Sequence, residues 1–288
     1  MLEEMTLKID TDLEISSNVV GLDLGQTLSK LVYYENGQIV LKIGETKESF
    51  QEIDAYLSSN QKNYNKANFT GGKAFQLYQK YENTFDSTLI NEFQANVNGI
   101  DFLYQQSKGK TLPPSLIVTL GTGTSIVLKR EGFEHLGGSA LGGGFFIGLA
   151  NLMYNDISYN EAVTLASTGN RYNVDLKVGE IYEEDDFRVD MLFREFTAAS
   201  LGKVNNDSNK EDVLSAIIST IGENIGTIAT LMANNQNIDT IVFCGGLLLQ
   251  NKALKKILSL LCKVRNKKAI FIKNSEFAGA IGALVHNK

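Results

Sequence analysis

Apolar and polar positions divide the chain into short apolar runs, glycine turns and longer stretches of helical spacing. Val19-Val20-Gly21-Leu22-Asp23-Leu24-Gly25 reads as a buried strand that ends in a turn. Strands over 29–35 and 38–43 follow, joined at Asn36-Gly37, a hairpin signal because both residues tolerate positive φ. Phe50, Ile53, Tyr56 and Leu57 fall on one face at helical spacing. A short strand over 67–70 runs into Gly71-Gly72, with helices predicted over 74–81 and 92–106. Pro113-Pro114 then breaks the pattern.

The second half repeats this plan. A strand over 116–120 meets the turn Gly121-Thr122-Gly123, and strands over 124–130 and 133–136 come next. Helices begin after Gly144. A long amphipathic helix over 212–234 carries Val213, Ile217, Ile221, Ile225, Ile228 and Met232 as a stripe, which reads as core or subunit interface. A strand over 240–244 enters Gly245-Gly246. A helix over 248–261, a strand over 269–272 and a small-residue helix over 278–285 complete the chain. Strand, turn, hairpin, helix, strand, helix therefore occurs twice, as a repeat of element order. This predicts an α/β chain of two lobes, 19–112 and 113–288, behind an acidic N-terminal extension over 1–18. Ligands in such folds bind at strand ends, so the turns at Asp23, Gly121 and Gly245 are expected around one cleft.

Composition narrows the reading. At 288 residues, 43% hydrophobic and 21% charged, the chain is an ordinary globular one, which excludes disordered and fibrous classes. A net charge of −6 and a pI near 5.1 argue against nucleic acid or an anionic membrane as the main partner. No uninterrupted apolar segment approaches the ~18 residues of a membrane span. Residues 1–18 carry Glu3, Glu4, Asp10, Asp12 and Glu14 without a basic start, so no signal peptide is expected. Two cysteines, Cys244 and Cys262, and two histidines, His135 and His286, leave little for a zinc site or disulfide framework. The cytosol is the expected compartment. The 26 glycines cluster at 121–123, 137–144 and 245–246 beside apolar runs, the pattern of phosphate-binding turns after strands.

Several residues are chemical candidates on this pattern. Asp23, at the end of a buried strand, can hold magnesium directly or through water, or simply cap the turn. Gly25 removes bulk there, Thr27 and Ser29 offer hydroxyls, and Lys30 either complements phosphate or is a solvated hairpin charge. Gly121-Thr122-Gly123 offers successive amides as an anion-binding concavity, or is a plain hairpin entry. Gly142-Gly143-Gly144 before Phe145 suggests a helix start with open amides. Gly245-Gly246 needs no ligand to explain it, and Glu92 by position alone is an acid in a helix's first turn. Cys244 reads as a buried strand residue with no base to activate it.

Taken together, Asp23-Leu24-Gly25-Gln26-Thr27-Leu28-Ser29-Lys30, Gly121-Thr122-Gly123-Thr124-Ser125 and Gly137-Gly138-Ser139-Ala140-Leu141-Gly142-Gly143-Gly144 resemble the type II pantothenate kinases. These belong to the acetate and sugar kinase, actin and heat-shock ATPase superfamily. Gly169-Asn170-Arg171, Val174-Asp175-Leu176-Lys177-Val178 and Phe277-Ala278-Gly279-Ala280-Ile281-Gly282 extend the likeness over about residues 19 to 285, and Asn91-Glu92-Phe93 resembles the segment of the catalytic carboxylate. The resemblance implies two actin-like (ribonuclease H-like) lobes, each a mixed sheet flanked by helices, with a nucleotide cleft between them. It implies ATP on Gly25, Gln26, Thr27 and Lys30, on Gly121, Thr122, Gly123 and Thr124, on Gly143 and Gly144, and on Gly245 and Gly246. It implies Mg2+ at Asp23, and catalysis by Glu92 as general base together with Asp23. Pantothenate is expected at Thr122, His135, Gly137 and Arg171, in a homodimer.

Three positions depart from the family. Gln26 replaces a second glycine, Asn170 an aspartate, and His135 the arginine that binds pantothenate in relatives. The expected reaction is ATP-dependent phosphorylation of pantothenate at its primary hydroxyl to 4′-phosphopantothenate, the first step of coenzyme A synthesis. The alternatives are a kinase of the same fold acting on pantetheine or another small alcohol, and a nucleotide-binding regulator without turnover. Retention of Asp23, Lys30 and Glu92 argues against the regulator.

Overall fold

The computed structural model describes residues 2–9, 15–188 and 191–286. Its first half runs β1 (Glu3–Lys8), β2 (Val19–Leu24), β3 (Leu28–Glu35), β4 (Gln38–Glu45), α1 (Thr46–Ser59), β5 (Lys66–Thr70), α2 (Phe75–Tyr81), β6 (Asp86–Leu89) and α3 (Glu92–Lys108). The second half begins β7 (Ser115–Leu120), β8 (Thr124–Lys129), β9 (Phe133–Ser139), α4 (Gly143–Tyr154) and α5 (Tyr159–Thr168). It continues with β10 (Leu176–Lys177), α6 (Met191–Arg194), β11 (Thr197–Ala199), α7 (Lys210–Asn235), β12 (Thr240–Cys244), α8 (Lys252–Val264), β13 (Lys268–Phe271) and α9 (Ala278–Leu284).

The repeat of element order read from the sequence is a repeat of topology. Among the described residues, one sheet has the order β1-β4-β3-β2-β5-β6 and the other β13-β12-β7-β8-β9. Counted within each lobe from β2 and from β7, both follow third, second, first, fourth, fifth. In each, the first three strands are antiparallel neighbours, and the fourth and fifth join in parallel. The chain is α/β, with two mixed sheets flanked by helices. The Asn36-Gly37 hairpin forms as expected, with φ of 51° and 79°.

Every residue of β2 is buried, and its side chains divide between the two faces by period-two alternation. Val20, Leu22 and Leu24 join Ile53 and Leu57 of α1 and Leu77 and Tyr81 of α2. Val19 faces the other way, with Phe102 and Leu103 of α3 and Ala280, Ile281 and Leu284 of α9. Another stretch of α3, Val97, Ile100 and Tyr104, meets Ile117, Val127 and Val242 of the second sheet. The helices α3 and α9 thus form the layer between the sheets. A side chain at Gly99 or Gly282 would run into the opposing helix backbone, at Ala278 and Ala95 respectively, so the crossing depends on glycine. The far face of the second sheet carries α4, α5, α7 and α8.

Four features differ from the pattern reading. The expected extension includes β1, an edge strand that pairs Met5 with Leu41 and ion-pairs Glu4 with Lys42 at 2.9 Å. Met5, Leu7 and Ile9 recur at period two, a strand signal masked by the acidic residues around them. Asp10, Asp12 and Glu14 lie outside the described residues. The helix expected from 248 starts instead at Lys252. Gln250 takes a left-handed φ of 55°, and the Asn251 side chain then caps the new start by accepting from the Leu254 N–H at 3.1 Å. The strand β6 and the β10–β11 ribbon carry no pattern long enough to predict. The helix α7 is long and apolar enough, by length and composition, to cross a membrane, but most of its apolar window is buried in the fold. Val213, Ile217, Ile221 and Ile225 of the predicted stripe are core residues.

Candidate active site

The turn between β2 and β3 is closed by the Gly25 N–H donating to the Leu28 carbonyl at 3.0 Å. Asp23 and Lys30 are cross-strand partners in this hairpin, and their side chains form an ion pair at 2.8 Å, each only about a tenth exposed. Asp23 fits there because Gly71 and Gly279 flank its carboxylate: a Cβ added to either would meet an Asp23 oxygen at 2.7 or 2.8 Å. The alternative of Lys30 as a solvated hairpin charge does not hold. Gln26 and Thr27 are exposed at the tip, and Ser29 is fully buried beneath it.

The second and third glycine turns close on this first one. Thr27 Oγ1 and Thr122 Oγ1 share a hydrogen bond at 2.9 Å, which joins the first turn to the second. A methyl group at Gly246 would sit 3.1 Å from the Leu28 side chain, which joins the first turn to the third. Gly245 takes φ +103° where its backbone passes against Leu120, a conformation and approach that only glycine permits. Thr124 Oγ1 donates to the Leu141 carbonyl at 2.7 Å, so this hydroxyl braces the 137–144 segment. The three turns expected around one cleft are together.

One expectation is corrected here. The Gly143 and Gly144 N–H groups are not open to a ligand. They donate to the Gly121 and Thr122 carbonyls at 2.8 and 2.9 Å. The start of α4 therefore buttresses the Gly121-Thr122-Gly123 turn. The Gly121 N–H is also used internally, on the Gly123 carbonyl at 2.8 Å. Among the described residues, the Thr122 and Gly123 N–H groups have no backbone acceptor, and these are the amides the turn offers to an anion.

Glu92 opens α3, whose N-cap is Asn91, with its side chain accepting from Phe93 N–H at 2.9 Å. Glu92 is exposed, and its carboxyl is held above the usual glutamate range. The main cause is protein around it displacing hydration; the negative charge of Asp23 adds to this, and Lys30 partly offsets it. Asp23 and Lys30 thus both act on the Glu92 carboxyl through their charges. Beside it, the exposed His135 of β9 stacks flat on Phe93, with ring centroids 4.1 Å apart and planes within 8°. Gly137, two residues on, has φ +147° and lies near Met232 of α7.

Arg171 belongs to a different network. Its Nε donates to Asp175 at 2.6 Å, its terminal nitrogens to Glu223 at 2.7 and 3.2 Å, and one of these to Thr197 at 2.7 Å. This ties 171–199 to α7 and leaves the guanidinium committed within the fold. Asn170, the departure beside it, caps the turn at 171–173 by accepting from Tyr172 N–H. Sequence reading missed Phe93 as a wall beside Glu92 and the paired role of Gly71 and Gly279. Neither carries a local signal, because both act through contacts made across the fold.

The arrangement offers two backbone concavities, a buried carboxylate–ammonium pair and a carboxylate of raised pKa. This suits phosphate binding beside a proton acceptor. Among the described residues, no cluster of three His, Cys, Asp or Glu side chains builds a metal cage. A single hard carboxylate such as Asp23 suits magnesium, which keeps most of its waters and shares its remaining sites with phosphate oxygens.

Comparison with known proteins agrees. The family model described as Fumble matches residues 41–286. A protein named Type II pantothenate kinase from Bacillus cereus is 31% identical over 274 residues, covering 93% of this chain and 97% of its own. One of the same name from Oceanobacillus iheyensis is 32% identical over 268 residues, covering 92% and 98%. Among solved structures, the activator of 2-hydroxyisocaproyl-CoA dehydratase from Clostridium difficile with bound ADPNP has a TM-score of 0.61 at 17% identity, over 92% of both chains. A ROK family glucokinase from Streptomyces griseus in complex with glucose and AMPPNP has a TM-score of 0.57 at 13% identity, over 92% of this chain and 97% of that one. These neighbours carry the fold alone.

Proposed function

The chain belongs to the Fumble family of type II pantothenate kinases, and from that membership we infer that it phosphorylates pantothenate with ATP as the first step of coenzyme A synthesis. The observation that carries this reading is that three glycine turns close on one another at the Asp23–Lys30 pair, whose charges act on the Glu92 carboxyl. The pantothenate primary hydroxyl attacks the γ-phosphorus of ATP, the bond to the β–γ bridging oxygen breaks, and ADP leaves. Glu92 accepts the hydroxyl proton; its raised pKa makes it a better acceptor than an ordinary glutamate. The free amides of Thr122 and Gly123 and the turn at Gly25, Gln26 and Thr27 hold phosphate oxygens, and Gly245 and Gly246 take the adenosine end. Asp23 would hold Mg2+, with Lys30 keeping the carboxylate in place. The metal ion would supply charge neutralisation on the phosphates.

A coupled assay for ADP release over pantothenate, pantetheine and other small alcohols tests the reading. Pantothenate-dependent release supports it, and a chain that binds ATP without turnover on any acceptor is a regulator instead. Asp23→Asn removes one charge from the metal site, so the magnesium dependence of the rate should shift to higher concentration while acceptor binding changes less. Superimposable magnesium titrations for the two proteins would remove Asp23 from that role.

The working unit is a homodimer. The surface of α4 that supports this is uncharged and exposes Phe145, Leu152 and Met153. Sedimentation velocity should give twice the 31.7 kDa chain mass; a monomer sediments at half that mass and overturns the assignment. Two free, buried cysteines are consistent with work in the cytoplasm.

A further inference from the structure

The first phosphate turn has an anchor outside every glycine motif. Thr46, the first residue of α1, follows β4 and lies directly behind the turn. Its N–H donates to the Thr27 carbonyl at 2.8 Å, and its Oγ1 donates to the Gly25 carbonyl at 2.9 Å. The buried Ser29 hydroxyl lies 3.0 Å from the same Oγ1. With the Thr46 hydroxyl proton spent on Gly25, Ser29 is the donor in that second bond. Lys73 N–H takes the Leu24 carbonyl at 2.8 Å, and Gly25 N–H takes that of Leu28. Three carbonyls around the turn are thus held from behind it, two of them by Thr46, and a fourth, that of Leu28, closes the turn on itself. Among the described residues, the Gln26 and Thr27 N–H groups have no backbone acceptor. Carbonyls held back and amides left forward are what an anion-binding loop requires.

We propose that Thr46 is a positioning residue for the nucleotide, holding the Gly25–Gln26–Thr27 backbone so that the Gln26 and Thr27 amides face the phosphates. This proposal rests on the reading that the turn holds phosphate.

The test is Thr46→Val, which keeps the shape and the N–H but removes the hydroxyl, beside Thr46→Ala, which removes it without a second methyl group, and Thr46→Ser, which keeps it. Loss of one hydrogen bond from the turn should raise KM for ATP about three- to tenfold. KM for the acceptor should stay unchanged, and Thr46→Ser should return KM for ATP close to the original value. A destabilised fold would not move one KM alone. Should Thr46→Val fail to fold, Thr46→Ala carries the same comparison. Gly25→Val crowds the turn itself and tests the premise, since even a Cβ there meets the Leu28 carbonyl at 3.0 Å. If Gly25→Val weakens ATP use but Thr46→Val and Thr46→Ala do not, the proposal fails alone. If ATP binding survives Gly25→Val unchanged, the turn does not hold phosphate and the reading beneath the proposal fails with it.

Discussion

Glu92→Gln should leave ATP binding nearly intact and lower turnover by about 10²–10⁴-fold, the usual cost of losing a general base. Gln is isosteric with Glu and keeps the first turn of α3, but it cannot take the acceptor's proton. The pH dependence gives a second readout. A general base works only when ionised, so activity falls as pH drops through its pKa. Loss of hydration to the protein around it and the charge of Asp23 hold the Glu92 carboxyl above the usual range, so the acid limb of kcat/KM should lie at higher pH than for an ordinary glutamate. In Glu92→Gln that limb should vanish from the residual activity. Unchanged turnover in folded Glu92→Gln protein would assign the proton to another acceptor.

The same residue marks the limit of what a sequence declares. Apart from β1, β6 and the β10–β11 ribbon, the strands, both hairpins and α3 follow from period-two and period-3.6 patterns, because burial of one face is written into neighbouring positions. The repeat of element order is enough to expect two matching lobes, and with the edge strand β1 set aside the two sheets share one strand order. Glu92, however, is locally a helix N-terminal acid, and nothing in its neighbours along the chain reports Asp23 or Lys30. Their charges act on its carboxyl only because the fold sets α3 between the sheets, some sixty to seventy positions along the chain from the hairpin. Gly143 and Gly144 show the opposite failure. Glycines before an apolar helix signal free amides, but the signal cannot tell a ligand from the carbonyls of Gly121 and Thr122, which occupy those amides first. Thr46 carried no signal at all: its two bonds to the turn exist only once β4 has paired with β3.

His135→Arg should raise selectivity for pantothenate over pantetheine by roughly ten- to a hundredfold, the value of about 1.5–3 kcal/mol in one charge-assisted hydrogen bond. Pantothenate ends in a carboxylate, which an arginine grips with two parallel bonds and a histidine cannot. No other arginine stands ready to replace it. Of the five in the sequence, Arg171 is held by Asp175, Glu223 and Thr197, and Arg188 by Asp186. Arg194 bonds the Glu183 and Asp186 carbonyls, Arg130 bonds that of Gln236, and Arg265 lies exposed at the end of α8. The site around His135 also explains why the substitution should fold. The imidazole already lies flat on Phe93, and a planar guanidinium stacks on an aromatic face in the same way. The introduced arginine would therefore sit beside Glu92 on a wall that exists for it. The unsubstituted chain, with a weaker grip on the acid, should accept pantetheine with less discrimination than an enzyme carrying arginine there. Initial rates with each acceptor at matched ATP, for both proteins, give the two ratios directly. If the unsubstituted chain strongly prefers pantothenate and His135→Arg adds nothing, then a lysine or backbone amide supplies the grip, and His135 serves only as the partner of Phe93.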